Sequence, residues 1–131
     1  MIIPLIASLS VVAQPDETTI SASIEIRPSI INPIGRYAGC LGENLARLSQ
    51  TAGPLRAARM RRVVEQARRA CRRVRVEARV EATRLIQLDT EVPVAARGAV
   101  IEAALADVDA SDELFLRELE RREQAQRRSK N

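Results

Sequence analysis

Histidine and tryptophan are absent from the 131 residues, and tyrosine and phenylalanine occur once each. Without His there is no usual general base, no Ser–His or Cys–His nucleophile and no imidazole metal ligand. The five glycines are scattered, so no Gly-rich phosphate loop exists. Carboxylate pairs remain for acid–base work, but they would need a cleft that a small helical fold rarely offers. The expectation is a protein that is not an enzyme and requires no cofactor. Aromatic scarcity also leaves the core to Ala, Val, Leu and Ile. Such a core buries modest area per residue, which makes a one-domain chain marginal. A covalent staple would help.

Lysine is nearly missing as well, present only as Lys130, so the basic charge is arginine. The net charge of +4 conceals a strong segregation along the chain. Residues 54–90 carry eleven Arg against four acids, and residues 91–120 carry two Arg against eight acids. Two neighbouring helices that complement each other would show this pattern, because opposite charges on adjoining elements cancel their outward field. Arg61, Arg62, Arg68, Arg69, Arg72, Arg73, Arg75 and Arg79 form the densest run and the candidate face for an anionic partner. Arg pairs bidentately with carboxylates and phosphates. For an exported chain the candidates are an acidic protein or an anionic envelope surface. Nucleic acid would suit a cytosolic coiled coil, yet no aromatics interleave to stack bases and no helix-turn-helix or zinc pattern occurs.

The first thirteen residues, Met1 to Ala13, form an uncharged apolar run ending in Val11-Val12-Ala13, with polar Gln14-Pro15-Asp16 following. This fits a secretory leader cleaved near Ala13, although only the amino terminus supplies its positive charge. The run is shorter than the roughly 20 residues of a permanent span. The mature protein is then expected to be periplasmic or secreted. The other reading is a buried N-terminal element of a cytosolic domain.

Residues 14–33 hold Pro15, Pro28 and Pro33 and read as an extended arm. Helix one is expected over Ile34 to Gln50, with Tyr37, Cys40, Leu41, Leu45 and Leu48 on one face. Helix two carries Met60, Val64, Ala67, Cys71, Val74, Ala78, Leu85 and Leu88 at alternating four-three spacing, interrupted by Glu81. Helix three begins near Pro93, where proline suits the first turn. Val94, Ile101, Val108 and Phe115 recur in it every seven residues, flanked by Leu105 and Leu119. It runs to about Arg122 or restarts at Ser111, a good N-cap. The expected fold is all-α: three or four helices, a long hairpin with a shorter helix packed across it, and one disulfide. Residues 34–123 form the stapled domain, 124–131 a flexible basic tail, and helix seams are available for a homo-oligomer.

Cys40 and Cys71 lie on the apolar faces of their helices, so both point at one core. In an exported chain an even cysteine number implies a bridge. In the cytosol the pair would be buried thiols, and a redox pair would sit closer in sequence, as in Cys-x-x-Cys. The bridge meets a geometric obstacle if helix two starts at Pro54. Cys71 would then lie on the order of 10 Å further from the turn than Cys40, too far for a disulfide. The bridge therefore predicts a connection reaching to about Arg59, or a steep crossing.

A second string, Asp107 to Glu118, resembles a calcium loop. Asp107, Asp109 and Ser111 occupy its first, third and fifth positions, with Leu114 at the eighth and Glu118 at the twelfth. Asp112 stands where the sharp turn calls for Gly, and an acidic helix start accounts for the same residues.

Tyr37-Ala38-Gly39-Cys40-Leu41, with Ala67-Arg68-Arg69-Ala70-Cys71-Arg72 thirty residues on, resembles a loose group of small exported two-cysteine helical proteins of proteobacteria. That resemblance implies a helical disulfide fold and implies no activity.

Overall fold

Pro28 opens a 3-10 turn, Pro28–Ile30, which leads straight into helix α1, Ile31–Thr51. The computed structural model describes residues 26–51 and 56–131. The leader, and the arm up to residue 25, lie outside the described residues. Helix α1 starts three residues before the expected Ile34, because Pro33 falls in its first turn. There the backbone N–H groups have no intrahelical acceptor, so a missing one costs nothing.

Helices α2, Ala57–Ala70, and α3, Arg72–Ile86, form nearly one rod. Cys71 separates them with φ −96° and ψ 6°, yet the four-residue bonds Cys71 N–H to Ala67 O (3.0 Å) and Arg75 N–H to Cys71 O (2.9 Å) cross the break. A turn through Asp89 and a second 3-10 turn, Val94–Ala96, lead into α4, Arg97–Ser129. Helix α4 is unbroken at Asp109 to Ser111. Ser111 Oγ donates back to Val108 O at 2.7 Å instead of capping a new helix. The helix also continues through residues 124–129, expected as a flexible tail.

The fold is all-α, with four α-helices among the described residues and one disulfide. Helix α1 pairs with the α2–α3 rod as a hairpin, and α4 packs against both. Ile30, Ile34, Tyr37, Leu41, Ala67, Cys71, Ala78, Ala82, Ile86, Ile101, Leu105 and Val108 fill the larger part of the core. A smaller cluster of Met60, Val63, Val64 and Leu116 joins it through Leu45 and Leu48. The buried alanines let helices approach closely, which is how a core nearly free of aromatics still excludes water. No helix of the described residues is long and apolar enough to cross a membrane.

Two ends of the expected seams are corrected. Leu88 is 79% exposed, and Ala82 and Ile86 take the inward positions of α3. Val94 and Phe115 are also exposed, and Leu116 is buried completely. Leu88 lies beyond the end of α3 and Val94 in the 3-10 turn before α4, so neither belongs to a helical face. In α4 the inward side turns to meet α2, where Leu116 packs with Met60, Val63 and Val64.

Candidate functional site

Cys40 and Cys71 are bridged, with their Cα atoms 6.0 Å apart. Helix α1 ends at Thr51 and α2 begins at Ala57, so the connection reaches Arg56, close to the expected Arg59. Cys40 then lies eleven residues before the end of α1 and Cys71 fourteen after the start of α2. The remaining offset of about 4.5 Å is small enough to bridge. Cys71 is fully buried, and Asn44 Nδ2 lies 3.4 Å from its sulfur while donating to Cys40 O at 2.9 Å. These surroundings hold a structural bridge, and such a bridge is compatible with an oxidising compartment.

The arginine run divides into two faces. Arg61, Arg68, Arg75 and Arg79 point toward α4 and meet its acids. Arg61 Nη2 donates to Glu120 Oε1 at 2.6 Å, and Arg68 Nη1 lies 3.5 Å from Glu113. Arg75 Nη2 donates to Asp109 Oδ2 at 2.8 Å, and Arg79 Nη2 to Glu102 Oε2 at 3.1 Å. The basic and acidic segments thus complement each other across one helix interface. Arg62, Arg69 and Arg72 are exposed and make no ion pair with a described residue, and Arg73 pairs only along its own helix with Glu77. Exposed Arg84 joins them, as do Val76 and Val80, 53% and 66% exposed. At 100° per residue these positions share one outward stripe. The candidate face is therefore half as large as the run in sequence, and it is part apolar.

Under the inner face sits a polar centre built from all four helices. The buried Tyr37 hydroxyl of α1 donates to Asp109 Oδ1, and Arg75 holds the other oxygen of the same carboxylate. Arg68 Nη2 donates to the Asp109 carbonyl at 2.8 Å, and the Arg75 guanidinium lies 5.8 Å from the Tyr37 ring centre. Burial, reinforced by Asp109, pushes the Tyr37 hydroxyl up to about 12. The hydrogen bond to Asp109 raises Arg75 above its ordinary value. A phenol so reluctant to ionise, and so enclosed, is a structural donor rather than a reactive group.

The calcium-like string does not form a loop. Asp107 is exposed, Asp109 is committed to Tyr37 and Arg75, Ser111 bonds its own helix, and Glu118 accepts from Arg121 and Arg122. Those two arginines pull the Glu118 carboxyl down to about 2. On a continuous helix successive ligands radiate in different directions, so they cannot converge on one ion. No group of three or more potential metal-ligating side chains occurs among the described residues.

Several interactions had no local signal in the sequence. Asp89, in the turn after α3, accepts from Arg27, from Ser29 Oγ at 2.7 Å and from the Glu91 N–H. The Ser29 hydroxyl, then Arg27, hold its carboxyl below the ordinary range. Glu81, the polar intruder in the α3 seam, pairs with Arg36 of α1. Asp112 is buried on α4, and its Oδ2 has no hydrogen-bond partner. Burial raises its carboxyl pKa; the Arg68 charge opposes this, while Asp109 and Glu113 add to it. Asp112 also borders a cavity of about 280 Å³ between α1, α2 and α4. The bonds of Arg27 and Ser29 to Asp89 and of Arg36 to Glu81 join elements far apart in the chain, so no sequence window contains both partners. No family model matches the chain, and neither a curated protein nor a solved structure matches it.

Proposed function

We propose that the protein is an exported, disulfide-stapled helical module that acts by binding an acidic protein partner through the outward face of α2 and α3. One observation carries this reading: Arg62, Arg69, Arg72, Arg73 and Arg84 surround exposed Val76 and Val80, while the inward arginines are occupied by α4. From Arg62 to Arg84 the stripe is about 33 Å long. Arginine is enriched at protein interfaces, where its planar fork binds carboxylates and its stem covers apolar surface. Export rests on the apolar run at Met1 to Ala13 and on the oxidised cysteine pair.

A second reading is an anionic lipid surface, favoured by Val76 and Val80 lying between arginines, as on helices that settle at a membrane interface. The test places a photo-cross-linking residue at Val80 in the native host, with and without Arg69→Glu and Arg72→Glu. The expected result is a protein adduct of one defined mass in the periplasmic fraction, lost in the double variant while the melting temperature is kept. Salt-sensitive flotation with phosphatidylglycerol vesicles, lost in the same variant, would replace the first reading by the second. Full-length reduced protein in the cytosol would overturn export.

A further inference from the structure

Ala103, Asp107, Ala110, Leu114, Arg117 and Arg121 recur along α4 at alternating spacings of four and three, and all six are exposed. They form a second seam on the side of the helix opposite buried Ile101, Leu105, Val108 and Leu116. Outward alanines are ordinary in a helix, because alanine favours it. A leucine 57% exposed among them is not.

Asp107 and Arg117 stand out for a different reason. Each makes no hydrogen bond or ion pair with a described residue. Glu102, Glu113 and Glu120 of the same helix, by contrast, all answer arginines of α2 and α3. Ten residues of helix hold Asp107 and Arg117 about 15 Å apart, beyond each other's reach.

The seam is complementary to itself when reversed. Asp107 and Arg117 lie five residues either side of position 112, and Ala110 and Leu114 lie two residues either side. A twofold axis at that level sets Asp107 against the partner's Arg117 and Leu114 over the partner's Ala110, each contact occurring twice. A parallel pairing would instead set like charges together. In the reversed arrangement both Leu114 side chains leave water, and the alanines let the helix axes approach to about 8–10 Å. Arg121 keeps Glu118 of its own helix as its partner.

We infer that a second copy of this chain docks antiparallel on the outer face of α4, through Leu114 on Ala110 and Asp107 on Arg117. The contact is one helix wide, smaller than the standard interface of about 1,600 Å², and so holds a weak dimer. It uses no residue of the α2–α3 stripe, and stands whether or not that stripe binds an acidic protein.

The test is sedimentation equilibrium of the oxidised protein at low salt. The expected result is a monomer–dimer equilibrium with a Kd between about 1 μM and about 1 mM. Leu114→Glu should abolish the dimer. Asp107→Arg alone, and Arg117→Asp alone, should each weaken it about tenfold or more, because two attractions become two repulsions. Both exchanges in one chain should restore it, since the two pairs are then only reversed. The three positions are exposed, so every variant should keep the parent melting temperature. A protein that stays monomeric up to about 1 mM would overturn the inference and leave the face to some other partner. So would a dimer that survives Leu114→Glu, or a double exchange as weak as the single ones.

Discussion

Glu123 of α4 accepts a hydrogen bond at 2.7 Å from the backbone N–H of Ala57, the first residue of α2. Arg56, at the N-cap position, has the extended backbone of a cap but makes no side-chain capping bond. Glu123, 66 residues away, fills that role. A carboxylate at a helix N-terminus satisfies an orphan donor and opposes the positive end of the helix dipole.

Glu123→Ala should therefore destabilise the protein by about 1 kcal/mol, the usual value of an N-cap. Glu123→Gln, which keeps an acceptor and loses the charge, should cost less. Urea unfolding of the three proteins checks the order, and equal stabilities would remove Glu123 from the cap.

The bridge between Cys40 and Cys71 closes a loop of 31 residues. In the chain-entropy account such a cross-link contributes about 3–4 kcal/mol, by restricting the unfolded chain. Reduction, or the double replacement Cys40→Ala with Cys71→Ala, should lower the denaturation midpoint accordingly. An unchanged midpoint would mean that the aliphatic core suffices alone.

Tyr37 is the sole tyrosine, so tyrosinate absorbance reads it without assignment. Its hydroxyl ionises at about 12 in the fold, against an ordinary 10.0. The native chain holds this proton longer than the unfolded chain does. The stability linked to it is thus complete below pH 10, declines as the pH approaches 12 and is absent beyond. In Tyr37→Phe that alkaline decline should flatten, and the unfolding free energy at neutral pH should fall by roughly 1–2 kcal/mol because Asp109 loses a buried donor. A native absorbance titration centred near 10 would contradict the enclosure of the phenol.

Leu116 and Phe115 offer a direct test of helical phase. Leu116 is completely buried, so Leu116→Ala should cost about 2–5 kcal/mol. Phe115→Ala, at a half-exposed ring, should cost well under half as much. The opposite order would restore the seven-residue phase that places Phe115 inside.

Local pattern was enough to specify the helices, the inward faces near their centres and the convergence of the two cysteines. These properties depend on residues three and four apart, which one helix turn brings together whatever the rest of the chain does. The complementarity of the basic and acidic segments was legible for a similar reason, because the charge is segregated in long blocks. Tertiary packing alone decided which arginines α4 neutralises and which remain on the outward stripe. It also decided that Leu116 and Ile86, rather than Phe115 and Leu88, end the core. Leu88 follows the end of α3, and contact with Met60, Val63 and Val64 of α2 fixes Leu116 inward. The same holds for Glu123 on Ala57, Asp89 on Ser29 and Arg27, and the unpartnered Asp112 beside its cavity. Each depends on where two distant segments come to rest, which is set by the whole core and by the bridge between Cys40 and Cys71.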